Sequence, residues 1–370
     1  MIETELDDKV VSVKIAFLDV GQADTIVISS TDTHEAIIID CVDANAVLAY
    51  LTREQIKYLR GVVVTHLHAD HYSGVANLLD NYREVPDMQE CEVLTFNEDY
   101  NQRNPKQITP DADGHASSYN QPLVGPKKLV PASLLNLFRW CKQHPEQCTN
   151  LKAGRSPFPI EGKLASGFKL LHPYFADYLD LRTKGLNNTS TVLRIAGSEA
   201  SALLTGDLEP EGWRHLCIHY PNLHSDVLKF PHHGGAWYGH DIDDLLDKVD
   251  PSIVVISVGS EGFEKYNHPH PDVFTALAKR PHIRVLCTQA TNQCQQHARV
   301  QDEIDAVVQK FKVGADKNGQ QKILSSRKGC PCAGTVVIEL EREAHVLQPT
   351  IAFHRDSIIK NHYKAHKCSW

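Results

Sequence analysis

Apolar residues enter this chain in short β-branched runs before any helical period appears. VVSVKIAFLDV (10–20), DTIVISS (24–30) and HEAIIIDCV (34–42) are three such runs, the first two separated by the turn GQA (21–23). LRGVVVTH (59–66) is continuously apolar, the pattern of a strand covered on both faces. ANAVLAYLTREQI (44–56) has helical spacing, and SGVANLLDNY (73–82) predicts a short helix with Ser73 as its N-cap.

Residues 97–162 are rich in Asn, Gln, Pro and Gly and hold one amphipathic candidate, PASLLNLFRWCKQH (131–144), so they read as an insertion lying over the core. Strand patterns resume at 167–173, 190–197, 200–207, 226–233, 251–259, 282–289 and 334–342, with helices expected at 209–220 and 272–280. The organisation expected is one domain over 1–290, containing the insertion 97–162, with 291–370 adding the last strand (334–342), a polar stretch and a basic tail. Two successive sets of strands with helices interposed predict an α/β sandwich, two sheets covered outside by helices.

Composition narrows the classes. The chain has 370 residues, 42% hydrophobic and 23% charged, which is a globular balance. No run of eighteen uncharged apolar residues and no secretory signal is seen, so neither a membrane span nor export is expected. The ten scattered cysteines then read as reduced thiols in a cytoplasm. A net charge of −8 argues against a surface that grips nucleic acid everywhere, although a local basic patch or bound metal ions would still draw in a phosphate.

Chemistry concentrates at VVVTHLHADHYSGV (62–75), where His66, His68, Asp70 and His71 form HxHxDH directly behind a buried strand. Alternate residues leaving a strand point the same way, so His66 and His68 can converge on one metal ion. Asp70 and His71 follow where the chain turns, placed for a second. Mixed imidazole and carboxylate donors suit Zn²⁺, Mn²⁺ or Fe²⁺.

HxHxDH behind an apolar strand resembles the metallo-β-lactamase fold, an αββα sandwich with its metals at one edge. FLDVGQADTIVI (17–28), NNTSTVLRI (187–195), ALLTGDLEPEGW (202–213), DVLKFPHHGG (226–235) and PSIVVISVGSEGFEKYNHPHP (251–271) resemble, in the same order, the corresponding domain of ComEC-type DNA-uptake proteins. The resemblance covers roughly residues 10–290 outside the insertion; it departs at Ala23, where the family usually has Gly, and in lacking the membrane channel. It implies a freestanding version and a metal-dependent hydrolase of phosphodiesters, most naturally DNA. Asp207 is then the carboxylate bridging two metals, and one of His232 and His233 ligates while the other contacts substrate or Asp207. His66, His68, Asp70 and His71 are the remaining ligands, and Asp70 also orients the nucleophile. His268 and His270 are expected to contact substrate or protonate the leaving group, with a plain surface loop as the alternative. Asp19, Gln22, Asp24 and Asp40 recur in the family's strand and turn signatures. Asp40 and Asp19 are expected to support the ligand histidines, a turn-forming role being the alternative for Asp19, while turn chemistry suffices for Asn187, Asn188 and Ser190. The fold's further histidine has no secure counterpart among His115, His144 and His172, so one of the two divalent ions (Zn²⁺ or Mn²⁺) would be weakly held.

Cys287, Cys294, Cys330 and Cys332 would meet at the base of a hairpin if strands 282–289 and 334–342 pair, and would then suit a structural Zn²⁺; scattered buried thiols are the alternative. Lys127, Lys128, Arg139, Lys142, Lys152 and Arg155, with Lys360, Lys364 and Lys367 of the tail, are candidate contacts for a strand of DNA, and Trp140, Trp237 and Tyr238 are candidate stacking platforms. A small phosphoester, nucleotide or thioester substrate fits the acidic charge better. A metal-binding sensor or partner module without activity is a third reading, and a protein partner is not identifiable from these residues.

Overall fold

The computed structural model describes residues 12–84, 93–96, 116–117, 129–151, 153, 160, 162–174, 176–259, 268–289, 333–341 and 344–347. Strands β1 (Val13–Phe17), β2 (Ile26–Ser30) and β3 (Glu35–Ile39) lead into helix α1 (Ala44–Arg53) and strand β4 (Tyr58–Val64). Helices α2 (Ala69–Tyr72) and α3 (Val75–Asn81), strands β5 (Val93–Phe96), β6 (Ala116–Ser117) and β7 (Leu129–Val130), helix α4 (Ala132–Gln143) and strand β8 (Cys148–Asn150) follow. The second set comprises β9 (Phe168–His172), α5 (Tyr178–Thr183), β10 (Val192–Ala196), β11 (Ser201–Leu204), α6 (Pro210–His219), β12 (Val227–Lys229), α7 (Gly239–Val249), β13 (Ile253–Ile256), α8 (Pro271–Ala278) and β14 (Arg284–Cys287). Strands β15 (Val336–Leu340) and β16 (Ala344–Leu347) return to the first sheet.

Eight strands form one sheet in the order β16-β15-β1-β2-β3-β4-β5-β8, and six form the other as β14-β13-β12-β11-β10-β9. Strand alternation sorts the side chains into layers. Ile15, Phe17, Ile37, Ile39 and Val63 meet Leu193, Ile195, Ala202 and Leu204 between the sheets. Ala16, Ile38, Val62 and Val64 face outward under residues of α1, α3 and α4. Leu203, Leu228 and Val254 face outward under α6, α7 and α8. The expected αββα sandwich is therefore present, and α4, inside the stretch read as an insertion, packs Leu137, Trp140 and Cys141 on the first sheet's outer face.

Strands β3, β4 and β5 are parallel, as are β11, β12, β13 and β14. The C-terminal ends of β3, β4, β11, β12 and β13 supply the polar cluster described below, the position where parallel strands ordinarily present functional groups.

Three expectations are corrected. Strands β14 and β15 do not pair as a hairpin: β14 runs parallel to β13, whereas β15 pairs antiparallel with β1, where Val336, Ile338 and Leu340 enter the shared core. Among the described residues the two strands meet end to end, where Ala333 N and Gly334 N donate to the carbonyls of Cys287 and Thr288 at 2.8 and 3.0 Å. Cys287 is buried, while Cys294, Cys330 and Cys332 lie outside the described residues, so the expected zinc site loses its hairpin premise. Ser73 is not an N-cap; it closes α2, and Gly74 opens α3. The strand expected over 226–233 stops at Lys229, and Pro231–Gly234 form a 3-10 turn.

Gly74 shows how tightly the first sheet holds the loop after β3: its N donates to Cys41 O at 2.9 Å, and a Cβ there would stand 2.5 Å from Val42 O. Gly74→Ala is expected to destabilise the fold by about 1–3 kcal/mol, read as a lower urea midpoint at unchanged slope.

Candidate metal centre

The cluster is assembled from backbone geometry first. Asp40, directly after β3, has φ +57°, a conformation uncommon outside glycine. It turns the carboxylate under the end of β4, where Thr65 N and Thr65 Oγ1 donate to its two oxygens, each at 2.7 Å. Asp40 Oδ2 also lies 2.7 Å from His71 Nδ1. That contact fixes the proton on Nδ1 and points His71 Nε2 at Asp207 Oδ2, 3.1 Å away. Asp207 follows β11 past Gly206, whose φ is +52° and where a Cβ would stand 3.1 Å from both Ser190 and Thr65. His232 and His233 have φ of 50° and 52°. His233 Nδ1 lies 2.7 Å from Ser257 O, so Nε2 faces inward, 3.6 Å from both Asp207 Oδ2 and Asp70 Oδ2.

These donors fit a divalent cation. One ligand atom each from Asp24, His71, Asp207 and His233 lies within 4.8 Å of the others, and all four residues are buried. His71 Nε2, His233 Nε2, Asp207 Oδ1 and Asp24 Oδ1 are buried without a hydrogen-bond partner. Unpaired buried polar atoms are costly, and convergent ones are what a metal satisfies. Beside them His66 Nε2 lies 2.9 Å from His68 Nδ1, and the rings of His66 and His71 are 4.2 Å apart.

Charge follows the same geometry. Burial alone would lower the pKa of His71, but the Asp207 and Asp40 carboxylates outweigh it and raise it well above the usual value. His233 is raised against burial chiefly by Asp207 and Asp24. Asp207 is held well below the usual carboxylate range by His71 and His233 despite burial. Asp70 is also lowered against burial, by His233, whose Nε2 is 3.6 Å away, and by the charge of His71. His66 and His68 are lowered, mainly by burial, and stay neutral.

The structure thus gathers His66, His68, Asp70, His71, Asp207 and His233. His232 stands at the mouth, with Nε2 4.0 Å from Asp207 Oδ2 and Nδ1 3.4 Å from Glu209 Oε1. The two histidines part because each adopts a left-handed turn conformation, not because they alternate along a strand. His268 joins the mouth, its ring 5.1 Å from that of His232. His270 instead caps α8, accepting from Asp272 N at 3.3 Å, and its ring meets Tyr238 edge-on. Asp40 touches His71, one of the candidate ligands. Asp19 accepts from Gln289 Nε2 at 2.7 Å and its N donates to Thr335 Oγ1, contacts that tie it to the ends of β14 and β15. Of the histidines weighed as a further ligand, His172 bonds Ser190 O, His144 stacks on Trp140, and His115 lies outside the described residues.

Sequence reasoning missed two buried partners. Asp24 was read only as part of a turn signature, and Lys229 not at all. Lys229 Nζ is fully buried, donates to Gly206 O at 2.8 Å, pairs with Asp24 and lies 3.6 Å from Asp207 Oδ1. A lysine inside the apolar run DVLKF was the available signal. Asn187 does more than turn the chain: its amide donates to Glu209 Oε1 at 2.8 Å and lies 3.3 Å from His232 Nε2.

With fold and donor set in view, comparison with known proteins agrees with the fold. The metallo-beta-lactamase superfamily model matches residues 18–107, and the αββα sandwich is the metallo-β-lactamase fold. Within that fold the chain resembles ComEC-type proteins. It is 39% identical over 102 residues to ComE operon protein 3 of Bacillus subtilis (strain 168), a match covering 28% of this chain and 12% of that protein. It is 37% identical over 84 residues to competence protein ComA of Neisseria gonorrhoeae, covering 22% of this chain and 12% of that protein. The matched stretches thus span only a small part of those relatives. Among solved structures, Tm1679, a metal-dependent hydrolase of the beta-lactamase superfamily, aligns with a TM-score of 0.42 at 12% identity, covering 74% of this chain and 95% of that one. Human tRNase Z, short form, aligns with a TM-score of 0.35 at 14% identity, covering 76% and 93%.

Two outcomes follow from this geometry. Asp40→Asn, which weakens the partner that orients His71, is expected to reduce zinc affinity about 10–100-fold, measured by competition with a chromophoric chelator. In metal-free protein the raised pKa values of His71 and His233 contribute stability that is complete below the ordinary histidine value of 6.5 and is lost as pH rises through the higher folded values. Removing metal is therefore expected to cost more in thermal midpoint at pH 9 than at pH 6, and metal binding should release protons, measured by calorimetry in buffers of different ionisation enthalpy.

Proposed function

We propose that this chain is a metal-dependent phosphodiesterase acting on DNA. The observation that carries the reading is the convergence of buried, unpaired His71 Nε2, His233 Nε2 and Asp207 Oδ1 beside the His66–His68 pair. Divalent ions bound there, two Zn²⁺ or Mn²⁺ with the second more weakly held, supply Lewis acidity toward water and a phosphoryl oxygen. The resemblance to ComEC-type DNA-uptake proteins supports DNA as the diester. Among the described residues no helix is long and apolar enough to cross a membrane, and the proposal places the chain in the cytoplasm.

The chain's own residues supply the rest. Asp70 is ionised, with its side chain 38% exposed, so it can accept a proton from an attacking water at the mouth. Gln22 Oε1 accepts from Gly259 N at 3.0 Å, which makes Gln22 Nε2 the donor toward His268 Nδ1, 3.3 Å away. The His268 proton therefore sits on Nε2. Burial, with the nearby His232 and His233, lowers its pKa to about 4. At neutral pH His268 acts as an uncharged hydrogen-bond donor that orients a phosphate oxygen, the substrate contact rather than the leaving-group protonation of the two roles the sequence suggested.

A small phosphoester is the second reading, favoured by the net charge of −8 and by Glu209 beside His232 at the mouth. Stacking platforms are fewer than expected: Trp237 is fully buried with its Nε1 donating to Leu208 O, whereas Tyr238 is 52% exposed.

The test incubates the chain with Mn²⁺ or Zn²⁺ and single-stranded DNA, duplex DNA, RNA or a generic phosphodiester. DNA cleavage is expected, falling roughly 10²–10⁴-fold in Asp70→Ala, and lost with rising salt as binding weakens. Cleavage of the generic diester alone would transfer the site to a small substrate. No cleavage of any ester by metal-loaded protein would overturn the hydrolase reading.

A further inference from the structure

Lys229 ends β12 in the interior of the second sheet, a place where a charged side chain is costly. Its backbone is held on both sides, opposite Leu204 of β11 and Val255 of β13, and its carbonyl accepts from Thr205 Oγ1 at 2.6 Å. By strand alternation its side chain shares the face of Val227, which belongs to the core between the sheets. The residue is fully buried, so Nζ is kept from water.

The groups around Nζ are acceptors. It donates to Gly206 O at 2.8 Å, pairs with Asp24 and lies 3.6 Å from Asp207 Oδ1. Three acceptors match the three hydrogens of an ammonium, where a neutral amine would supply two. Asp207 therefore faces two ways. Its Oδ2 lies 3.1 Å from His71 Nε2 and 3.6 Å from His233 Nε2, whereas Oδ1 is the oxygen nearer Lys229. Asp24 is shared likewise: it offers an oxygen to the donor group of His71, Asp207 and His233, and its Oδ2 pairs with Lys229. Two of the four convergent donors thus already have a cation beside them.

We propose that Lys229 is a fixed internal cation that competes with divalent ions for Asp24 and Asp207 and so limits how tightly the centre holds metal, an inference that rests on the metal-centre reading above. Charges of one sign a few ångströms apart inside a protein repel far more strongly than in water. The ammonium is tethered to β12, so it cannot leave when an ion enters. Lys229 therefore has two opposed effects. It stabilises the buried carboxylates while no ion is bound, and it reduces the negative charge they offer to an ion. Lys229 is a positioning residue, since it acts on the ion through Asp24 and Asp207.

The test measures metal affinity, a readout on which structural damage and the proposed competition have opposite signs. Zinc binding to the full chain is titrated against a chromophoric chelator. Lys229→Met keeps the bulk and removes the charge. It is expected to bind zinc about 10–100-fold more tightly than wild type, the size of effect that groups behind metal ligands have. The metal-free variant should melt at a lower temperature than metal-free wild type. Mere damage to the site would weaken binding instead. The comparison is repeated in an Asp24→Asn background, where removing the lysine no longer leaves Asp24 unpaired, which guards against a single variant that fails to fold. Adding Lys229→Met there should again tighten binding. Unchanged or weaker binding on removing the lysine from folded protein, in either background, would overturn the proposal. Tighter binding without cleavage of any ester would support it and remove the hydrolase reading alone, whereas no metal binding by wild type or any variant would overturn both.

Discussion

The carboxylate of Asp207 is buried where the two sheets meet, and the arrangement around it is built to hold that charge. An ionised carboxylate out of water needs cations close by, because burial by itself strongly disfavours the charged form. His71, His233 and Lys229 approach it from the ends of β4 and β12. Asp40 and Asp24 in turn balance His71 and Lys229, so three carboxylates, two imidazoles and one ammonium form a single buried network. Removing one member leaves its partners charged and unpaired, which is why such a network acts as a unit.

The sandwich makes this concentration of charge possible. Parallel strands end together at one edge, and the apolar cluster between the sheets holds those ends at fixed separation. Left-handed turns at Asp40, His232 and His233 then re-aim side chains that a continuing strand would have sent elsewhere. Backbone in that region costs of order 1–3 kcal/mol per residue, tolerated where the surrounding structure over-determines it. Here the hydrogen bonds to Thr65 and Ser257 do so.

The site also divides by depth. His71, Asp207 and His233 are enclosed, whereas Asp70, His232, Glu209 and His268 form the mouth. The enclosed groups are suited to holding cations, and the mouth, with its mixture of neutral imidazole, amide and carboxylate, is suited to orienting a polar substrate. Ser190 also links the interior to β9, its carbonyl meeting His172 Nδ1 while its Oγ lies 3.4 Å from His66 Nδ1.

Much of this was legible in the order of residues. The short apolar runs of β1, β3 and β10 are local, and their two successive sets named both sheets; HxHxDH behind VVVT pointed to the candidate centre. Where the pattern was mixed it misled: α7 buries Ile242, Leu245, Leu246 and Val249, but its many aspartates hid that period, and β14 and β15 look like hairpin partners because only pairing across the whole chain assigns them to different sheets. Which histidine of the 232–233 pair turns inward, that His270 caps a helix, and that Asp24 and Lys229 neutralise one another all depend on backbone turns and on contacts between residues about two hundred positions apart. Sequence by itself determined the kinds of donor and the strands that present them, because residue type and period are local. Tertiary structure alone decided which donors share a burial site, because desolvation and charge pairing exist only once the sheets have closed over them.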